Sequence, residues 1–348
     1  MRKSLKDISW DVSEEEYRAD KALSYSTLAR FEREGFNKLD RLFDKLETPS
    51  LTFGSAVDSI ITGGQEEFED RFMVAEFPTI SDNLALVTKI LFSRYNELYN
   101  NLIDIPDNIL AEVGKECDFW ANDKYVNHRV KLIKENCVDL YNLMYISIGK
   151  TILDTATYND VLATVDVLKN NNSTRFYFAE NNPFDGIERY YQLKFKATID
   201  NIEYRCMADN IIVDYNNKFI IPTDLKTSSK PEWDFFKSFI DWRYDIQSRL
   251  YWAIIKQNLD KDEYFKDFKL LDYRFIVVNR KTLCPLVWEF PYTKTVGTLT
   301  FGKDNRILCR SPFEIGKELN HYLSSRPTVP IGIELNKENN LATWLKTL

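Results

Sequence analysis

Two acidic residues and a lysine stand out near the middle of the chain. Asp224 and Lys226 lie in the run IIPTDLKTSS (220–229), and Asp209 lies in the preceding run EYRCMADNIIVDY. Side chains two apart on a strand share a face, so Asp224 and Lys226 project to the same side. Both runs are largely apolar, which is typical of a buried strand. A charge on such a strand needs a partner, because burying it unpaired is costly.

The turn between these runs predicts how the two acids are arranged. Asn216 and Asn217 tolerate the positive φ that a two-residue hairpin turn requires. The register that follows from this turn places Asp209 directly opposite Asp224, with β-carbons about 4.5–5.5 Å apart. Like charges so placed are destabilising unless something neutralises them, and a divalent cation would do so.

Carboxylate oxygens are hard ligands that suit Mg²⁺ or Mn²⁺, and these ions also bind substrate phosphates. Lys226 could then hold an attacking water or the scissile phosphate through its ammonium group. Such a site suits phosphodiester hydrolysis. A simpler arrangement stays open at this point, in which Asp224 of a surface hairpin pairs with Lys226 or Arg205.

The composition limits the class of protein. The chain has 348 residues, of which 44% are hydrophobic, and a formal net charge of −7. It is therefore expected to fold around a sizeable core, and any nucleic-acid site must be local. No run is apolar enough to span a membrane and the N-terminus lacks a signal-peptide core, so we expect a cytoplasmic protein that does not bind a membrane.

The cysteines and histidines do not predict a metal centre of their own. Five scattered cysteines form no CxxC pair, which disfavours a zinc ribbon, a disulfide framework or an iron–sulfur cluster. His128 and His321 have no cysteine or second histidine nearby, so each is expected to be a surface or packing residue.

The periodicity of apolar residues predicts an α/β fold, with a central mixed β-sheet flanked by helices. Apolar spacings of three and four run through 80–170, which predicts a helical insertion. After 172 the period changes to two, giving three successive strands, a long helix from about Trp233 to Lys256, two more strands and a helical C-terminus. We expect one domain, 1–348, with the sheet and the long helix in 172–290.

Two further patterns place polar residues on helices. Gln247 and Tyr251 are four apart in YDIQSRLYWAII and share a helix face, although helix packing alone would explain them. Asp58 follows Gly54 by four residues in FGSAVD, where an aspartate is ordinarily a solvated helix residue.

Taken in order, FGSAVD, CMAD, TDLKT and QSRLY resemble the motifs of the PD-(D/E)XK nuclease superfamily, in its RecB-like and exodeoxyribonuclease VIII-like branch. The opening LSYSTLARFE is similar to the serine-rich first helix of that branch. The family pattern is a Gly-x-x-x-His helix, a strand aspartate, Asp-x-Lys and Gln-x-x-x-Tyr. This chain departs from it at Asp58, which stands where the family has histidine. The resemblance spans about 23–290 and leaves the insertion out.

The resemblance implies a restriction-endonuclease-like core and a Mg²⁺- or Mn²⁺-dependent exonuclease of phage or mobile-element recombination or replication. By this resemblance the catalytic residues are Asp209, Asp224, Lys226, Gln247 and Tyr251. The metal ligands are Asp58, Asp209, Asp224 and the backbone carbonyl of Leu225. No iron–sulfur cluster is expected, because the cysteine set that some relatives use is missing.

Relatives in this branch degrade the ends of double-stranded DNA and form rings around it. The resemblance therefore implies DNA as substrate, a homo-oligomeric ring and a single-strand annealing protein as partner. A ring would let an acidic protein hold DNA with few basic contacts. The candidate contacts are Arg30, Lys194, Lys196, Lys230, Arg243 and Arg249. Two alternatives stay open: a structure-specific endonuclease of the same fold, and a non-catalytic DNA-binding protein whose nuclease site has decayed.

Overall fold

A computed structural model describes residues 2–44, 48–292, 297–301, 305–325, 333–336 and 341–344. The chain divides into two compact units, one made of Met1–Gly54 and Ala163–Leu348 and the other of Ser55–Leu162. Most of the predicted insertion, 80–170, belongs to the second unit. Its status as an insertion into one nuclease domain stays a prediction.

The secondary-structure elements are numbered along the chain. The helices are α1 (Glu14–Ala19), α2 (Tyr25–Glu34), α3 (Pro49–Arg71), α4 (Asp82–Tyr95), α5 (Asp107–Glu116), α6 (Val126–Asn136), α7 (Val138–Ile146), α8 (Thr155–Asn170), α9 (Arg175–Phe178), α10 (Phe235–Asp241), α11 (Tyr244–Asp260) and α12 (Pro312–Ser325). The strands are β1 (Phe72–Val74), β2 (Thr151–Leu153), β3 (Ile187–Ile199), β4 (Ile202–Asp214), β5 (Phe219–Thr227), β6 (Lys269–Leu270), β7 (Tyr273–Val278), β8 (Leu286–Phe290), β9 (Gly297–Phe301), β10 (Asn305–Cys309), β11 (Ile333–Asn336) and β12 (Leu341–Trp344).

The first unit is built on a mixed sheet in the order β3-β4-β5-β7-β8, with β6 also paired to β5. The β3-β4, β4-β5 and β7-β8 pairs are antiparallel, whereas β5 and β7 are parallel. Helix α11 packs on one face against β3, β4 and β7. On the other face, the carbonyl of Tyr177 in α9 accepts a hydrogen bond from Asn210 Nδ2 at 2.9 Å. This mixed α/β sheet flanked by helices confirms the predicted fold class and is compatible with a nuclease-like core.

The β4-β5 hairpin has the predicted register but not the predicted turn. Four residues, 215–218, separate the strands, and Asp214 pairs with Phe219. Asp214 Oδ1 accepts the backbone N–H groups of Asn216 and Asn217, and Lys218, not an asparagine, takes the positive φ of 55°. The expected two-residue turn is therefore wrong. The register is still as predicted, because the observed loop is longer than the expected one by one residue at each end.

The predicted long helix from Trp233 to Lys256 is broken. Arg243 has left-handed backbone angles (φ 55°, ψ 48°) and separates α10 from α11. Its guanidinium bonds Asp245 and Glu32, which offsets the cost of this backbone. The expected helical C-terminus is also incomplete, because two-stranded antiparallel pairs precede and follow α12.

The second unit has its own core. Buried apolar side chains of α4 to α7 pack together, among them Val87, Leu91, Leu110, Ile133 and Tyr141. Strands β1 and β2 pair in parallel within the same unit. Across the described residues of the chain, none of the helices combines the length and apolar character that crossing a membrane demands.

Candidate active site

The candidate site lies where β5 leaves β4. The two strands pair only as far as Asn210 and Thr223, and beyond that point β5 pairs with β7. The first half of β4 instead bonds Leu23, whose backbone N–H donates to the carbonyl of Glu203. Where β4 and β5 separate, they form a fork. The backbone N–H and C=O groups that face into the fork need hydrogen-bond partners other than the neighbouring strand.

Asp209 occupies this fork. Its Oδ2 accepts the backbone N–H of Leu225 at 3.0 Å, in the place where a ladder hydrogen bond would otherwise continue. The sequence placed Asp209 opposite Asp224 as a regular cross-strand pair, but the regular pairing ends one position earlier. Asp209 therefore joins the site through its side chain and not through the ladder.

Asp224 is the most buried acid of the site, with 1% of its surface exposed. Its Oδ2 lies 2.5 Å from Nζ of Lys226, which is two residues further along β5. Its Oδ1 accepts a hydrogen bond from Nε2 of Gln247, which lies on α11. The ion pair that the surface-hairpin alternative proposed is thus formed, but in the interior of the first unit. The pairing of Asp224 with Arg205 is not formed, because Arg205 Nε donates to the carbonyl of Ala22.

Lys226 is held in its charged form. Burial is the largest single effect and lowers the pKa of its ammonium, but Asp224, Tyr244 and Asp209 together raise the pKa above its usual value, with Asp224 contributing most. Nζ also lies 4.6 Å from the centroid of the Tyr244 ring, a cation–π distance. Lys226 can therefore supply positive charge, but it cannot accept a proton near neutral pH.

The α11 residues divide into two roles. Gln247 is buried and bonds Asp224, and its Oε1 has no hydrogen-bond partner among the described residues. Tyr251 is also buried, with its ring centroid 6.2 Å from that of Tyr273. Burial raises the pKa of the Tyr251 phenol well above its usual value, and nearby ionisable groups that include Asp224 add to this. Tyr251 is thus a neutral side chain packed behind the acids.

The face that β3 and β4 turn toward the main core changes near Asp209. In β4, Tyr204, Cys206 and Ala208 belong to this core, but after the fork Ile211 and Val213 do so, and the alternation therefore shifts by one residue. Strand β3 shows the matching shift between Leu193 and Tyr190.

Gln192 lies at the shift in β3, with a φ of 54°. The paired positions on either side, Tyr191 with Asn210 and Leu193 with Ala208, place Gln192 opposite Asp209. A positive φ is uncommon for glutamine and is costly within a strand. It reverses the side-chain direction without changing the register.

Helix α3 approaches the end of β5 through Gly54. A β-carbon at Gly54 would lie 3.0 Å from Oγ1 of Thr227, so the close approach favours glycine. Asp58 lies four residues further along α3, in the second unit. The assignment of Asp58 as a metal ligand stays a prediction, as does that of the Leu225 carbonyl.

Most of the basic side chains proposed to contact DNA are buried or bonded to other groups of the protein. Arg30 is buried and its Nη1 donates to the carbonyls of Arg41, Leu42 and Asp44. Arg243 and Arg249 are also buried. All three arginines are therefore held within the fold, and their proposed contacts with DNA stay a prediction.

The lysines proposed to contact DNA have partners as well. Lys194 Nζ donates to the carbonyl of Val12, Lys196 pairs with Asp20 and Glu203, and Lys230 pairs with Asp241. These contacts involve partly exposed groups, so the role of the lysines stays a prediction.

Sequence reasoning missed two residues of the site. Tyr244 precedes Gln247 by three residues on α11, so the helix-face argument that selected Gln247 and Tyr251 could have included it. Gln192 carried no signal, because no residue type in β3 predicts a left-handed glutamine.

Comparisons with known proteins add little to this geometry. The sequence matches no protein-family model. No curated protein matches it either. One similar solved structure is a crystal structure of a protein from Eubacterium rectale described as a "Putative exonuclease", with a TM-score of 0.41 and 14% sequence identity over 82% of this chain and 79% of that chain. A likeness of this size carries no argument about function.

Proposed function

We propose that this protein is a metal-dependent deoxyribonuclease that hydrolyses phosphodiester bonds, and that it acts as an exonuclease on DNA ends. The observation that carries the proposal is the buried ion pair of Asp224 and Lys226, held by Gln247 next to Asp209. The PD-(D/E)XK resemblance assigns the same residues to the site. Two acids and a lysine come from the hairpin, and an amide comes from the helix that follows it. The role in phage or mobile-element recombination rests on that resemblance alone.

The donor set suits one hard divalent cation. In the described part of the chain, His, Cys, Asp and Glu side chains form no group of three or more that could hold a metal ion. Mg²⁺, however, is commonly bound by one or two carboxylates and completes its shell with waters and substrate phosphates. Asp209 and Asp224 would supply those carboxylates, and the buried Oε1 of Gln247, which lacks a described partner, is a further hard acceptor in the site.

A bound Mg²⁺ or Mn²⁺ would acidify a coordinated water and stabilise the charge that grows on the phosphate. Lys226 would contribute positive charge to the same phosphate, because in the described structure the Asp224 carboxylate favours its ammonium form. Gln247 would hold Asp224 in place through the bond to Oδ1.

The first test compares Asp224→Asn and Lys226→Ala with the unaltered chain on linear duplex DNA with Mg²⁺. Each should lower the hydrolysis rate by at least about 100-fold, because each removes charge from the reacting centre. Asp267→Asn and Lys237→Ala are matched controls at exposed positions and should retain the rate. Full activity in either site variant would refute the assignment.

The second test separates exonuclease from endonuclease. Closed circular duplex has no end, so an exonuclease should leave it intact while it degrades the linear form of the same DNA. Cleavage of the circle would replace the exonuclease proposal with the endonuclease. Solution mass, with and without DNA, tests the proposed homo-oligomeric ring, and co-purification with a single-strand annealing protein tests that partner.

One observation favours a second candidate, a non-catalytic DNA-binding protein. Both carboxylate oxygens of Asp224 already have partners within the chain, Lys226 and Gln247. A site that has lost its metal could be stabilised in this way. Calorimetric titration with Mn²⁺ distinguishes the two, because heat of binding that Asp224→Asn abolishes supports the nuclease and its absence supports the scaffold.

A further inference from the structure

Trp242 presents a large aromatic side chain at the surface of the first unit. It follows the last residue of α10, and 48% of its surface is exposed. The guanidinium of Arg33, near the C-terminal end of α2, lies over the indole with Cζ 4.9 Å from the ring centroid. A planar guanidinium over an indole forms a flat, positively charged surface, which suits a flat ligand with an anionic neighbour.

The backbone that carries Trp242 is held on both sides. The hydroxyl of Tyr25 donates to the carbonyl of Trp242 at 2.7 Å. The next residue, Arg243, bonds Asp245 Oδ1 through Nε and Glu32 Oε1 through Nη1, each at 2.9 Å. The indole is therefore presented from a fixed position, which lowers the entropic cost of binding a ligand on it.

Aromatic contacts connect Trp242 to the candidate active site. The ring of Tyr25, which bonds the Trp242 carbonyl, lies 6.1 Å from the ring of Tyr244 between centroids. The Tyr244 ring in turn lies 4.6 Å from Nζ of Lys226. Trp242 and the Asp224–Lys226 pair are thus joined by two intervening tyrosines.

The chemistry of this arrangement fits a nucleobase. Exposed aromatic side chains stack on bases of single strands with little dependence on sequence, because every base has a π-face. A base inside a duplex is already stacked on its neighbours and cannot use the indole. The guanidinium of Arg33 can favour the phosphate attached to such a base.

We propose that Trp242 and Arg33 form a stacking platform for an unpaired base at the end of a DNA substrate. This inference rests on the proposed nuclease function and deepens it, since it names a single-stranded tail as the preferred end. The phosphate to be cleaved would lie at Asp224 and Lys226, with an unpaired base of the same strand on Trp242.

The test measures binding separately from hydrolysis. Fluorescence anisotropy in EDTA compares a blunt duplex with duplexes of the same length that carry a short 5′ or 3′ tail. The protein should bind one tailed duplex more tightly than the blunt one. Trp242→Ala should lower that preference by about 5- to 150-fold, since stacking contributes about 1–3 kcal/mol per base. Trp242→Phe should retain part of it.

Trp233→Ala is the matched control, because Trp233 is exposed (64%) in the same segment. It should retain the tail preference. The proposal is overturned if blunt and tailed duplexes bind equally or if no DNA binds. It is also overturned if Trp242→Ala and Trp233→Ala lower the preference for the tailed duplex by the same factor. A parallel assay of hydrolysis in Mg²⁺ tests the nuclease proposal independently of the stacking platform. Tail preference without hydrolysis would refute the nuclease alone, and hydrolysis without tail preference would refute the platform alone.

Discussion

The left-handed conformation of Gln192 can be tested by substitutions that differ in their tolerance of positive φ. Glycine adopts φ near 54° without steric cost and asparagine does so readily, whereas a β-branched side chain strongly disfavours it. If the cost of this conformation lies in the backbone, then the free energies of unfolding of the variants should follow the tolerance of each residue type for positive φ and not its polarity. The expected order of stability is Gln192→Gly and Gln192→Asn above Gln192→Val.

The magnitude follows from the cost of left-handed backbone, about 1–2 kcal/mol for a residue with a β-carbon. Gln192→Gly regains about this amount and loses the contacts of the half-buried glutamine side chain, so its free energy of unfolding should stay within about 1 kcal/mol of the unaltered chain. Gln192→Val adds branched-side-chain strain and should unfold about 2 kcal/mol more easily.

Thr198, an exposed residue of the same strand with ordinary backbone angles, supplies the control. At Thr198 valine should be more stable than glycine by about 1 kcal/mol, the reverse of the order at Gln192. Urea unfolding measures both orders, and hydrolysis of linear duplex measures whether Asp209 remains in place. Gln192→Val should lose activity along with stability, whereas Gln192→Gly should keep it. Equal behaviour of valine and glycine at Gln192 in both assays would refute the reasoning.

Two further predictions concern other parts of the first unit. A double-mutant cycle of Gly54→Ala and Thr227→Ala should give a coupling of about 1 kcal/mol in the free energy of unfolding, because the new methyl group meets Oγ1 of Thr227 only when that oxygen is present; additive effects would contradict the close approach. For Asp262, burial raises the pKa, but the bonds from Lys3 and from two backbone N–H groups lower it overall. Its contribution to stability is therefore present above about pH 4 and is lost as the pH falls through the lowered folded pKa. The unaltered chain should exceed Asp262→Asn in unfolding free energy at pH 6, and acid titration of both should show the gap closing below about pH 4; a constant gap would exclude this ionisation as its source.

The predictions that held depend on short-range patterns. Alternation of apolar residues identified β3, β4 and β5, since a strand with a buried face must repeat every two residues. The hairpin register was predicted because the two strands are adjacent in the chain and one loop connects them.

The expectation of an unbroken helix failed because it depends on a group that is distant in sequence. The break at Arg243 depends on Glu32, which comes from α2. No local pattern shows that a long helix will break where a distant carboxylate stabilises the turn.

By itself, the sequence determined which residues could form the site: Asp209, Asp224 and Lys226 follow from residue type, the period of two and one hairpin. Only the tertiary structure decided that Gln247 reaches Asp224, that Tyr244 lies beside Lys226, and that β4 and β5 separate at Asp209. The physical reason is that register is a local property of adjacent strands, whereas the direction of a side chain at a strand fork depends on what packs against it. Gln192 illustrates this, because its left-handed backbone persists only while the surrounding sheet holds it.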